Sequence, residues 1–205
     1  MKKLRFAMIT VAALFAMQTV YGQAAVSLGL KGGLNFANVN TSSVGAAYDS
    51  RTGYHVGAFV GIKFAKFAIQ PELIYSQQGS TVKINTSNFD ANFSYMNIPV
   101  IFKFYIIGGF NLQAGPQFGF LMSATGPVDP TGTCSPTTTG DIKNQFSSSD
   151  ISVGLGAGFD LPLKLSIDAR YNLGVSDINS TAASSAVKNQ VFQLSLGYKL
   201  FKFGN

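Results

Sequence analysis

The chain has one histidine, one cysteine and one glutamate, and these limits decide most of what its side chains can do. His55 and Cys134 together cannot assemble a Cys/His metal site, which takes three or four ligands, so no metal and no cofactor is expected. A nucleophile and base pair built on His55 needs a serine or an aspartate within hydrogen-bond reach. Both residue types crowd the polar segments, so their presence singles out no partner, and Glu72 falls too far from any strand end to form a rim dyad with His55. No catalytic residue is therefore assigned, and His55 reads as a hydrogen-bonded rim histidine. Cys134, in "VDPTGTCSPTTTG", has no second cysteine for an internal disulfide and reads as an incidental loop residue.

What remains is ionic chemistry, and its spacing is regular. In "LKLSIDARYNLGVSD", Leu163, Leu165, Ile167, Ala169, Tyr171 and Leu173 occupy one parity, with Lys164, Ser166, Asp168, Arg170 and Asn172 on the other. An extended strand places those two sets on opposite faces. The pattern recurs eight times. Val26, Leu28, Leu30, Leu34 and Phe36 alternate with Lys31 and glycines, and Tyr54 to Phe64 with His55, Phe59 and Lys63. Phe67 to Tyr75 alternate with Gln70 and Glu72, and Met96 to Phe104 with Tyr95, Asn97, Pro99, Ile101 and Lys103. Phe110 to Phe120, Ile151 to Phe159 and Phe192 to Leu200 complete the set, the last two opposing Asp160 and Lys199.

Short connections around Ala65, at "IIGG" and around Pro162 alternate with long polar ones, roughly residues 38–52, 79–92, 124–149 and 177–189. Short turns at one end, long loops at the other and an even number of strands of about ten residues predict an all-β, eight-stranded antiparallel up-and-down transmembrane β-barrel. Composition decides which face is outside. Only 12% of residues are charged, about half the usual share of about 25%, which suits a lipid-facing wall and not a water-facing one. An eight-stranded barrel has an interior just wide enough for side chains, and the large apolar set would not fit within it. Aromatic residues near strand ends, among them Tyr54, Phe64, Phe67, Tyr75, Phe104, Phe110, Phe159, Phe201 and Phe203, suit interfacial girdles.

With the apolar face outward, the charges point into the lumen, where an unpaired one is costly. Lys31, Glu72, Lys103, Asp168, Arg170 and Lys199 are expected to form a structural ion-pair plug. Lys31, Glu72, Asp168 and Arg170 are expected near mid-height, and Lys63, Asp160, Lys164 and Lys199 lower. The lumen glycines, including Gly154, Gly156 and Gly158 of "GLGAG", make room for the long cationic side chains and do not form a phosphate cradle.

The N-terminus carries Lys2, Lys3 and Arg5 before an apolar core, Phe6 to Val20, too short for a bilayer-spanning helix of about 20 residues. It reads as a cleaved signal peptide over residues 1–22, ahead of a barrel domain over 23–205. Its removal takes the formal charge from +6 to +3, and the remaining cations are scattered, so no nucleic-acid partner is expected.

The segments "LGLKGGLNFA", "GYHVGAFVGIKF", "IQPELIYSQQG", "YMNIPVIFKFY", "AGPQFGFLMSA", "LSIDARYNLGVSDI" and "KNQVFQLSLGYKLF" resemble the PorT-type outer-membrane β-barrel domain proteins of Bacteroidetes-type bacteria. The resemblance covers nearly the whole chain after the signal. It implies a small barrel in the outer membrane of a diderm bacterium, similar to the OmpA/OmpX-type barrels, and it does not imply an enzyme. The founding member is associated with protein secretion, and the long third loop around Cys134 departs from the pattern. The expected role is structural or surface-interacting, with a lumen plugged by side chains. Alternatives are a porin-like transport or PorT-like secretion component and, third, a lipid-modifying enzyme. Expected partners are outer-membrane lipid, the barrel-assembly machinery during biogenesis, and a surface ligand or secretion partner at the long loops.

Overall fold

The computed structural model describes residues 24–40, 47–84, 87–128, 138–145, 147–175 and 188–204. The segment expected to be a signal peptide, Cys134 and parts of the first, third and fourth long connections lie outside the described residues. Among the described residues nine strands form one antiparallel sheet: β1 (Ala24–Asn40), β2 (Ala47–Phe64), β3 (Phe67–Ile84), β4 (Ser87–Ile107), β5 (Phe110–Val128), β6 (Thr138–Asp141), β7 (Ser149–Asp160), β8 (Leu165–Gly174) and β9 (Lys188–Phe203). Consecutive long strands pair, and β1 pairs with β9, so eight of the nine close on themselves as a barrel. Closure matters because hydrocarbon offers no partner to an open edge. The ninth, β6, was not expected from sequence and lies against the far end of β5.

The alternation sorts as expected. Leu30, Val56, Leu73 and Leu196 are each more than half exposed on the outer wall, while Lys31, Glu72, Asp168 and Arg170 are buried inside. The wall is bounded by aromatics. At the short-turn end Phe64 pairs with Phe67, Phe67 with Phe104 and Phe110 with Phe159, and the Phe67 and Phe104 rings lie 5.1 Å apart. At the other end Tyr54 stacks near Tyr75, and Phe36 near Phe192. The ten residue-to-residue steps from Tyr54 to Phe64 cover about 33 Å of strand, or about 25 Å of height at a tilt of about 40°. That matches the apolar band of an outer-membrane barrel.

The short turns carry the positive φ angles that two-residue hairpins need. Gly108 and Gly109 (φ 56° and 92°) meet this without steric penalty. Leu163 and Lys164 (φ 65° and 66°) form the turn before β8. This corrects the expected strand start: neither belongs to the wall or the lumen, and Lys164 is exposed, its Nζ 3.5 Å from the Leu200 carbonyl.

The long-loop end is also more regular than expected. Of residues 79–92, read from sequence as a polar loop, 79–84 and 87–92 continue the β3 and β4 ladder from Gly79↔Asn92 to Ile84↔Ser87. The β-branched Thr81, Val82 and Ile84 favour extended chain, and the ladder satisfies backbone groups above the apolar band. Farther round, Ile142 packs on Tyr95, Leu121 and Ala124, so the segment after β6 is tied to the inner face of β4 and β5.

Candidate functional site

The lumen holds the polar side chains, in three levels set by strand register. The middle level is ionic. Lys31 on β1 faces Gly57 and Gly197 across its two ladders, and Asp168 and Arg170 on β8 face Gly158 and Gly156 on β7. A chain of long side chains needs that emptiness opposite. Arg170 lays its stem over Gly154, with Cδ 3.1 Å from where a Cβ there would sit. A Cβ on Gly158 would meet the Asp168 carboxylate and the Gln113 amide.

Across this space Arg170 binds Glu72 with both terminal nitrogens, at 3.1 and 3.0 Å. Lys31 Nζ lies 3.1 Å from Glu72 Oε1 and 3.1 Å from Asp168 Oδ2. Lys103 reaches Asp168 Oδ1 at 3.3 Å. Gln70 donates to Glu72 at 2.8 Å, and Gln113 donates to Asp168 while accepting from Arg170 at 3.1 Å. Five charged groups from four strands thus meet in one buried cluster, three cations and two carboxylates. Bidentate guanidinium contacts are among the stronger charge-assisted hydrogen bonds, and such a cluster crosses the whole lumen from β1 and β3 to β8.

Lys199, expected in the same network, lies apart from it. It sits lower, 2.6 Å from Asp160 Oδ2, which also accepts from the Tyr105 hydroxyl at 3.0 Å. Lys63 stands over the Tyr105 ring at 3.6 Å from its centroid, a cation–π contact.

Above the ionic level lies a neutral one. His55 contacts Asn35 Oδ1 through Nδ1 and Ser195 Oγ through Nε2, both at 2.8 Å. Asn35 also donates to Ser76 Oγ at 2.9 Å, and Gln193 donates to Asn35 at 3.0 Å. His55 is not the rim residue expected, because β2 runs on from it to Ala47 and the residue is only 2% exposed. Sequence reasoning missed its partners: they share the inward parity, but their meeting depends on registers that place Gly33 opposite both His55 and Ser195. Serine, histidine and asparagine in this order have the composition of a nucleophile relay. Asn35 and Ser195 are buried as well, at 0% and 5% exposed, so the unit is held inside the wall of side chains and serves as a hydrogen-bonded crosslink between β1, β2 and β9.

An eight-stranded closed barrel with a lipid-facing wall and a side-chain-filled lumen defines a small integral outer-membrane protein. The chain belongs to the outer membrane protein beta-barrel domain family, whose profile matches residues 18–180, and its place is the bacterial outer membrane. Among solved structures it is similar to neisserial surface protein A, with a TM-score of 0.54 and 15% identity over 86% of this chain and 99% of that one. Ail of Yersinia pestis gives a TM-score of 0.47 at 17% identity, covering 88% and 99%, and OprG of Pseudomonas aeruginosa gives 0.41 at 15%, covering 90% and 97%. Comparison with curated proteins found no match.

Proposed function

We propose that this barrel is a closed, non-conducting scaffold that presents its long-loop end to the cell exterior, with a structural or surface-interaction role and no catalysis. The observation that carries this reading is the charged cluster of Lys31, Glu72, Lys103, Asp168 and Arg170, which spans the lumen at mid-height. An open pore needs a continuous water path, and these five groups use the cross-section for one another. The β3 and β4 ladder continues above the aromatic band, and this is where a surface ligand would meet the barrel. Its other partners are membrane lipid along the wall and the barrel-assembly machinery during insertion.

A second reading is a PorT-like secretion-associated component, favoured by the order of strand segments such as "IQPELIYSQQG" and "LSIDARYNLGVSDI". Planar-bilayer recording separates a closed scaffold from a porin-like one. The purified barrel is expected to insert without stable conductance steps. Reproducible open-channel steps from the wild-type protein would defeat the plugged reading.

A further inference from the structure

The short-turn mouth of the barrel holds a feature that neither the plug nor the outer surface uses. The ladder between β1 and β9 pairs Leu28 with Phe201 but Gly29 with Lys199, leaving Leu200 as an extra residue. This β-bulge reverses the parity of the last residues of β9. Leu200 and Phe201 both stay exposed on the wall, and Lys202, itself exposed at the mouth, pairs with Ser27 and lines the lumen side there. Bulges commonly re-aim a side chain in this way at functional sites. Without it, Phe201 would enter the lumen and Lys202 would meet lipid.

Lys202 there joins Lys63 and Lys199 around a cavity of about 40 Å³, completed by Ser27, Gly61 and Gln70. The charges do not balance. Asp160 is the carboxylate at this level, and it is engaged by Lys199 and Tyr105. Among the described residues neither Lys63 nor Lys202 has a carboxylate at ion-pair distance, and Lys63 instead rests on an aromatic face. Lys66 and Lys164 in the adjacent turns are exposed and add to the same field. A concave, partly walled site with a net positive excess, three lysines against Asp160, concentrates anions.

We propose that this mouth binds a phosphate-type oxyanion between Lys63, Lys199 and Lys202. A tetrahedral anion offers several acceptors to lysines that line one cavity from β2 and β9, and lysine serves phosphate as a point charge. The small cavity admits an anionic head end-on and excludes a sugar ring or a peptide. The anion is either free phosphate or the phosphate of a lipid headgroup, since the mouth lies level with the Phe64, Phe67 and Phe203 girdle.

The test is equilibrium dialysis of radiolabelled inorganic phosphate with the barrel folded in phosphate-free dodecyl maltoside, at fixed ionic strength, followed by competition with phosphatidylglycerol in mixed micelles. Saturable binding of one phosphate per chain is expected, weakened at least tenfold in a Lys63→Gln, Lys202→Gln double variant that keeps its heat-dependent gel shift. Binding is expected to survive in a Lys66→Gln, Lys164→Gln control. Displacement by phosphatidylglycerol, or retention of that lipid alone, assigns the lipid headgroup as the source; phosphate binding without displacement assigns the free anion. Absence of saturable binding in both arms overturns the site. So does equal loss in the control, which would reduce the effect to diffuse rim charge, and so does unchanged binding in the cavity variant.

Discussion

Replacing Glu72 with glutamine is expected to destabilise the folded barrel by about 3 to 5 kcal/mol, the usual cost of removing one partner from a buried ion cluster. The substitution keeps the side-chain volume, so no cavity is opened and the effect is electrostatic. Arg170 loses a bidentate acceptor and Lys31 one of its two carboxylates. Asp168 is then left to balance three buried cations. A Glu72→Leu, Arg170→Leu double variant removes both members of the closest pair and is expected to lose markedly less than the sum of the two single variants, because no bidentate partner is left stranded. Urea unfolding of barrels in lipid vesicles, followed by heat-modifiable mobility, measures both. A loss below about 1 kcal/mol for Glu72→Gln would place water around the carboxylate, and with it an open lumen.

A comparable loss is expected on the opposite face. Leu196 lies mid-way along β9, opposite Gly32 and Ile167, with 55% of its surface exposed. In a soluble protein an exposed leucine changed to arginine alters stability by less than about 0.5 kcal/mol. On a lipid face at the bilayer midplane the same change costs about 2 to 4 kcal/mol. Leu196→Arg is expected in the second range, and its cost to shrink when the same change is made at Phe203 beside the turns, where an arginine reaches the interface. The unfolding assay used for Glu72 reads this series too.

How much of this was legible from the sequence follows from what a period of two can and cannot encode. Parity alone placed Leu30, Val56 and Leu196 outside and Lys31, Glu72 and Arg170 inside, because each strand has only two faces. Height required register as well. Counting from the short turns brought Lys31, Glu72, Asp168 and Arg170 to one level, since those turns are nearly invariant in length. It also set Lys199 lower, and what it could not give was the partner: Lys199 pairs with Asp160 at that lower level and does not join the central network. The Leu200 bulge concealed Lys202: one extra residue reverses a parity argument and leaves no compositional mark. Leu163 and Lys164 misled for a related reason, as their alternation continues β8 while their φ angles turn the chain. The crosslink of Ser195, His55 and Asn35 was beyond reach, since it joins residues up to 160 positions apart through two registers. Residues 79–92 looked like a loop because polarity was read as irregularity, whereas strands above the membrane meet water and carry polar residues at no cost.

In this barrel the apolar wall faces lipid while the charges face inward. The chain contains no tryptophan, so a Leu196→Trp variant carries a single fluorescent reporter on that wall. In vesicles containing lipids brominated near the bilayer centre, its emission is expected to be strongly quenched and to be insensitive to aqueous iodide. Quenching by iodide with no response to brominated lipid would put Leu196 in water and contradict the lipid-facing barrel.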